Sequence, residues 1–301
     1  FLNFLAERGR RYPNFSLFME ANVEDLLHAN GRVAGLMART STGQLEVRAD
    51  LVVAADGRHS VLRDRAGLVP DDLGAPMDVL WFRLSRAPGD SSESIGHFEP
   101  GRLVVQINRG NYWQCAMVIP KGAAHAVRER GLDTFRAQVT DVLPWARQRI
   151  SEDLKTWDDV KLLSVRVDRL WQWYKPGLLF IGDAAHAMSP IGGVGINLAI
   201  QDAVAAANIL WQPLRDKQLE TCHLLAVQRR REWPTRVTQW LQIAIQNRVI
   251  RPTLAAERPL RPPLLLRLAA RFPVLRRLTA RVVGIGIRPE HIESPELPPP
   301  K

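Results

Sequence analysis

The chain has 301 residues, 46% hydrophobic and 24% charged, a composition that suits a globular protein with more than one buried core. Its net charge of +10 invites a nucleic-acid partner, but nine arginines against the single acid Glu257 fall within residues 251–288. The rest is close to neutral, and a basic tail without interleaved aromatics argues against nucleic-acid binding.

Residues 1–13, FLNFLAERGRRYP, read as the end of a helix with Phe1, Phe4 and Leu5 on one face and Pro13 as its stop. A chain that opens inside an element is expected to lack something upstream. Short strands follow, divided by the turn pairs Asn30-Gly31 and Thr42-Gly43. DLVVAADG, at 50–57, reads as a buried strand of the parallel type ending in a polar turn, with a helix carrying Arg63 and Arg65 behind it. From 75 to 165 the texture is β-rich. DVLWFRLSR, SIGHF, RLVVQIN and YWQCAMVIP predict a meandering, largely antiparallel sheet, and a helix near 132–150 would cover one face. The α/β texture returns at GLLFIGDAAH, which opens a helix over 195–211. The remainder is helical and broken by prolines, and the final SPELPPPK reads as disordered. Apolar runs fall short of the roughly 20 residues that span a bilayer. No signal-peptide pattern opens the chain, and two cysteines build no disulfide framework, so a cytoplasmic location is expected.

The stretch GDAAHAMSPIGGVGINLAIQDAV, residues 182–204, is stripped of bulky side chains. An apolar strand enters it and an alanine-rich helix leaves it. Such a junction suits electron-rich groups, because the N–H groups of the first helical turn and the helix dipole both point at a negative or polarised atom. Gly192, Gly193 and Gly195 let a flat ligand approach the main chain, and Pro190 stiffens the turn. Asp183, at the strand end, can accept hydrogen bonds from a ligand hydroxyl. No cluster of histidines or cysteines has metal-ligand spacing.

Ten positions of this stretch, Gly182, Asp183, Ala184, Ala185, His186, Pro190, Gly193, Gly195, Asn197 and Asp202, together resemble the second FAD-binding motif of the p-hydroxybenzoate hydroxylase family, the single-component flavoprotein monooxygenases. DLVVAADGRHSVLR is similar to that family's Asp-Gly motif, through Asp56, Gly57, Ser60 and Arg63. The resemblance implies an α/β fold. A discontinuous FAD/NAD(P)-binding Rossmann-like domain would span 1–74 and 166–250, its first βαβ unit missing. A β-rich substrate domain would be inserted at 75–165, and a basic C-terminal helical region with a tail would occupy 251–301. FAD would be bound by Asp56, Gly57, Ser60, Arg63, Gly182, Asp183, Pro190, Gly192, Gly193, Gly195, Ile196 and Asn197. Of these, Asp183 would hold the ribityl chain, Pro190 to Gly195 would lie along the isoalloxazine ring, and the N–H groups near Gly195, Ile196 and Asn197 would face its N1/O2 edge. His186 would brace the turn, and Arg58 and His59 would neighbour the approach of the nicotinamide donor.

By the same resemblance the activity is oxygenation of an aromatic or conjugated small molecule, with NADH or NADPH as donor and O₂ as oxidant. The flavin C4a-hydroperoxide then does the chemistry, and no side chain or metal is assigned a catalytic role. The substrate would sit between the flavin and the inserted sheet, against Trp81, Arg83, Gln106, Tyr112, Trp113 and Gln114; Tyr112 could deprotonate a phenolic substrate, but no motif of the resemblance assigns it that role. The alternatives are a flavin reductase or dehydrogenase of the same fold, or an inactive fragment without the pyrophosphate site. The amphipathic stretch 251–288 is expected to pack on the FAD domain or on a second subunit in a homodimer, the alternative being peripheral contact with an anionic membrane. The family's G-x-G-x-x-G and its ribose-binding acid are not in this sequence. The 301-residue chain alone is therefore expected to bind FAD weakly or not at all, and stoichiometric FAD retention through gel filtration would overturn that.

Overall fold

The computed structural model describes residues 1–258 and 272–295. The chain opens on helix α1 (Leu2–Gly9) and an antiparallel meander of β1 (Asn22–Ala29), β2 (Arg32–Thr40) and β3 (Gly43–Arg48). Asn30 and Gly31 both take positive φ, 51° and 72°, as a two-residue hairpin turn needs. Strand β4 (Val52–Ala54) and helix α2 (Val61–Arg65) carry the first motif. After β5 (Asp71–Asp72) come β6 (Met77–Ser85), β7 (Ile95–Glu99), β8 (Arg102–Asn108) and β9 (Tyr112–Pro120). Helices α3 (Ala124–Glu129), α4 (Leu132–Val142) and α5 (Arg147–Asp153) follow, then β10 (Lys161–Leu163), β11 (Asp168–Arg169), β12 (Tyr174–Lys175) and β13 (Leu178–Phe180). The last described elements are α6 (Gly195–Arg215), α7 (Thr221–Ile245) with a π turn at Gln246–Ile250, α8 (Arg251–Ala255) and α9 (Pro273–Gly284).

Three departures from the sequence expectations have local causes. The helix expected over 132–150 is two helices, because Pro144 cannot continue α4 and drives Leu143 to φ −122°, ψ 65°. The helix expected to stop at 211 runs on to Arg215, with Pro213 inside its last turn. The stretch Ile191–Arg215 is long and apolar enough in composition to cross a bilayer, contrary to the reading of the apolar runs. Its isoleucines, leucines and valines supply most of that character, and Asp202 in its middle is buried in an ion-pair network. The basic stretch 251–288 lies partly outside the described residues, at 259–271, as do 296–301 of the tail.

Two arrangements position the site. The first is a small sheet ordered β12-β13-β4, in which β13 and β4 are parallel, pairing Leu178 with Val52 and Phe180 with Ala54. The two motif loops therefore leave neighbouring strands at the same carboxyl end, where α/β sheets place ligands. The second is the antiparallel sheet β10-β6-β9-β8-β7. One of its faces, with Phe82, Leu84, Val104, Trp113 and Cys115, is sealed by Phe135, Val139 and Ile150 of α4 and α5. Its other face, with Val79, Leu103, Ala116 and Val118, packs near Ile191 of the glycine-rich turn and Ile250 and Leu254 behind it.

A buried polar chain locks α6 to α7. The Asp202 carboxylate accepts the Gly182 N–H at 3.0 Å and meets His186 Nε2 at 2.6 Å, and its other oxygen accepts Arg231 Nε at 3.0 Å. Arg231 also donates to Gln201 Oε1 (3.1 Å), the Arg288 carbonyl (3.1 Å) and Glu290 Oε1 (3.2 Å). Burial alone would push the Asp202 carboxyl up. The charge of His186 and its hydrogen bond, with Arg231 and the Gly182 N–H, outweigh that and hold it below the ordinary carboxylate value.

Arg231→Ala takes the fully buried cation from Asp202, leaving it to His186, and leaves Glu290 to Arg230, so urea denaturation at neutral pH should report a loss of about 3–5 kcal/mol. A depressed carboxyl pKa contributes stability that is complete above the unfolded value, near about 4, and is lost as the pH falls through the folded value. Stability curves measured below about pH 4 should therefore fall more steeply for the wild type than for Asp202→Asn. Burial also pushes the Cys115 thiol up to about 12, while Cys222 is exposed. Iodoacetamide at mildly alkaline pH should thus alkylate Cys222 and spare Cys115 in the folded protein, as read by mass spectrometry.

Candidate functional site

The loops after β4 and β13 are stitched together by Arg63. It donates from Nη1 to the Ala184 carbonyl (3.1 Å) and from Nη2 to the Arg58 carbonyl (2.8 Å). Ser60 caps α2 by accepting the Arg63 N–H at 3.0 Å. Both side chains are fully enclosed, so Ser60 and Arg63, expected at the cofactor, form the frame behind it instead. Asp56 stays exposed and accepts the Leu62 N–H at 3.2 Å, with Gly57 beside it.

Asp183 leaves β13 with its carboxylate half-buried, and Arg58 Nη2 donates to its Oδ2 at 3.0 Å. Arg58 thus turns toward the second motif rather than out to solvent, and its buried Nη1 has no partner among the described residues. His59 is exposed. His186, with Trp173 stacked on its ring at 4.7 Å, lies inside and braces the turn through Asp202.

The mouth of α6 is bare. Val194 stands at its N-cap with no side-chain cap, and the Leu198 N–H is the first to find a helical carbonyl, that of Val194. The N–H groups of Gly195, Ile196 and Asn197 have no partner among the described residues. Gly182 has φ 58°, and a Cβ there would stand 2.9 Å from the Ala199 Cβ, so only glycine lets α6 come this close. Gly192, Gly193 and Ile196 are exposed, and a Cβ on Gly193 would meet nothing within 4 Å. On the flank, Asn197 Nδ2 donates to the Gly284 carbonyl at 3.2 Å, which sets the end of α9 beside the first turn of α6.

The turn is held from behind by amides of α7 that the motif reading does not single out. Gln242 accepts the Ser189 N–H (3.1 Å) and donates to the Ser189 and Ile191 carbonyls (both 2.9 Å). Gln239 donates to the Asp168 and Ala187 carbonyls, and Gln246 to the Ser189 hydroxyl. Their spacing in QWLQIAIQ, at i, i+3 and i+7, is one helix face, and buried glutamines on such a face are the signal that could have found them.

The sheet register sorts the expected substrate wall into two groups. Trp81 pairs with Ala116, and Arg83 with Gln114, on the face that packs near Ile191. Tyr112 shares that face, with the Arg83 guanidinium 4.7 Å above its ring. Gln106 pairs with Cys115 and Trp113 with Leu84, on the face sealed by α4 and α5. Gln106 and Trp113 therefore do not line a substrate wall. Alternation along a strand sends them into the core, where Trp113 donates to Asp90 Oδ2 at 3.1 Å and meets Trp145 edge-on.

A glycine-rich turn, three unclaimed N–H groups and a half-buried carboxylate lie side by side, a set that fits a flat polar ring with a hydroxylated chain, as a flavin presents. Residues 1–241 match the model of the family described as FAD binding domain. Over 259 residues the chain is 35% identical to 6-methylpretetramide 4-monooxygenase of Streptomyces rimosus, covering 85% of this chain and 62% of that protein. It is 29% identical over 205 residues to a putative polyketide hydroxylase of Streptomyces halstedii, covering 60% of this chain and 33% of that one. The chain thus spans less than two thirds of the length of both relatives. The fold is similar to that of pqsL, a probable FAD-dependent monooxygenase from Pseudomonas aeruginosa, with a TM-score of 0.68 at 21% identity, covering 84% of this chain and 71% of that structure. With 241 consecutive residues matched, this chain belongs to the FAD-binding-domain family.

Proposed function

We propose that this chain holds the flavin ring and the substrate in an FAD-dependent monooxygenase that uses NADH or NADPH and O₂ to hydroxylate an aromatic small molecule. The observation that carries this reading is the uncapped mouth of α6, set beside the Asp183 carboxylate and next to the face of the β6–β9 sheet that α4 and α5 leave uncovered. The monooxygenase and polyketide-hydroxylase names of the two relatives agree with it.

When bound, FAD would supply hydride acceptance and oxygen activation, which no side chain of this site provides. The residues supply placement and charge. The N–H groups of Gly195, Ile196 and Asn197 are oriented to stabilise negative charge at a ring edge, at no cost of reorganisation. Asp183 accepts hydrogen bonds from chain hydroxyls, and Arg58 fixes its carboxylate while doing so. Gly193, where a Cβ would meet nothing within 4 Å, leaves room for a ring face, while Gly192 lies against Val283 of α9, and the apolar rows of the sheet exclude water from the substrate.

Asp183→Ala removes the hydroxyl acceptor and frees Arg58. FAD affinity, read by quenching of flavin fluorescence, should weaken by about tenfold or more, which corresponds to about 1.4 kcal/mol. With FAD, NADPH and an aromatic polyketide, the protein should place one atom of ¹⁸O₂ in the product. NADPH-dependent reduction of the substrate without label would make it a reductase instead.

A further inference from the structure

We propose that residues 284–294 form a strap whose docking on α6 and α7 fixes the mouth of α6, so that strap docking and flavin binding favour each other. The proposal rests on reading that mouth as the flavin site and names a regulatory element for it.

The Arg281 carbonyl closes α9 by accepting the Ile285 and Gly286 N–H groups. Beyond that cap the strap makes no backbone–backbone hydrogen bond among the described residues. Side chains of two helices hold it instead. Along one face of α6, Asn197 Nδ2 donates to the Gly284 carbonyl (3.2 Å), Gln201 Nε2 to the Ile285 carbonyl (2.9 Å) and Asn208 Nδ2 to the His291 carbonyl (2.7 Å). Asn208 Oδ1 also accepts the Glu293 and Ser294 N–H groups, at 2.9 and 3.1 Å. From α7, Arg231 donates to the Arg288 carbonyl at 3.1 Å, and Arg230 holds the buried Glu290 carboxylate through two N–H groups, at 2.8 and 3.0 Å. Gly286 has φ 95°, and a Cβ there would stand 3.2 Å from Gln201 Nε2, so only glycine makes this crossing over α6 without strain.

The strap bears on both ends of the stretch from Gly182 to Asn197. At one end, the Asn197–Gly284 bond belongs to the first turn of α6, and Val283 Cγ1 lies 3.5 Å from where a Cβ of Gly192 would stand. At the other end, Glu290 accepts Arg231 Nη1 at 3.2 Å, Arg231 holds Asp202, and Asp202 takes the Gly182 N–H. A segment without a ladder of its own is released more readily than the helices that carry it. Its release would withdraw the outer support of the first turn of α6. By linkage, a ligand that binds the ordered mouth more tightly also favours the docked strap, and by the same factor.

The test exploits Asn208, whose side chain bonds the strap and nothing else among the described residues, about 16 Å along α6 from Asn197. Hydrogen exchange without cofactor, read by mass spectrometry on the 301-residue chain, should be faster in Asn208→Ala both at 284–294 and at 194–201. FAD affinity, read by quenching of flavin fluorescence, should fall about fivefold or more. Gly286→Ala should act in the same direction, and FAD added to the wild type should slow exchange of the strap. Val139→Ala, in the core under the sealed sheet face, controls for general loss of stability and should alter neither readout. Faster exchange confined to the strap, or an equal effect of Val139→Ala, would overturn the proposal. If FAD binds wild type and strap variants alike, the flavin reading stands and the strap assignment falls. If exchange at 194–201 responds to the strap but the wild type binds no FAD, the hold of the strap on α6 stands and the flavin reading falls.

Discussion

A turn made of glycines cannot hold its own shape, and the whole site depends on that constraint being met from outside. Its glycines contribute no side chains, so beside the packing of Ile191 and Val194 the conformation is fixed by groups that grip the segment leading into it. Gln242 of α7 takes the Ser189 N–H and the Ser189 and Ile191 carbonyls, Gln239 the Asp168 and Ala187 carbonyls, Gln246 the Ser189 hydroxyl, and Asp202 of α6 the Gly182 N–H. Every one of these groups is buried and hydrogen-bonded, where losing a partner leaves an unsatisfied polar atom. None of these restraints falls on Gly193, where a Cβ would meet nothing within 4 Å.

The same division of labour governs the two sheets. The parallel pair β4 and β13 brings the motif loops to one end, and Arg63 ties the loops together inside the protein. The larger antiparallel sheet is an asymmetric plate. One face is consumed by packing under α4 and α5, and only the other can be offered to a small molecule. The proposed site would thereby be confined to one side of each element: the carboxyl end of the parallel pair, the mouth of α6 and the Arg83–Tyr112 end of the sheet face that α4 and α5 leave free.

What was legible in the sequence followed from local rules. Apolar runs bounded by turn residues marked the strands, and the glycine turn before an alanine-rich helix marked the uncapped mouth of α6. What was not legible required the third dimension. Nothing in DLVVAADGRHSVLR distinguishes an arginine that faces a ligand from one that ties two loops together, and Arg63 does the second. Gln106 and Trp113 are polar or amphipathic side chains on strands beside the recess, yet a shift of one residue in alternation decides which face they occupy. The α7 glutamines carry no motif at all, because a helix can aim amides at any backbone that packs beside it. Arg231 is invisible in the arginine-rich QRRREWPTR, where its neighbours Arg229 and Arg236 reach the surface and it alone is fully enclosed.

The charge of the helix mouth follows from the same construction. The N–H groups of Gly195 to Asn197 present a fixed positive end that no side chain among the described residues caps. Asp183, already paired with Arg58 at 3.0 Å, adds no uncompensated negative charge beside it. The proposed flavin would be most negative at its ring edge when reduced, and that edge would meet the positive end without any group having to move.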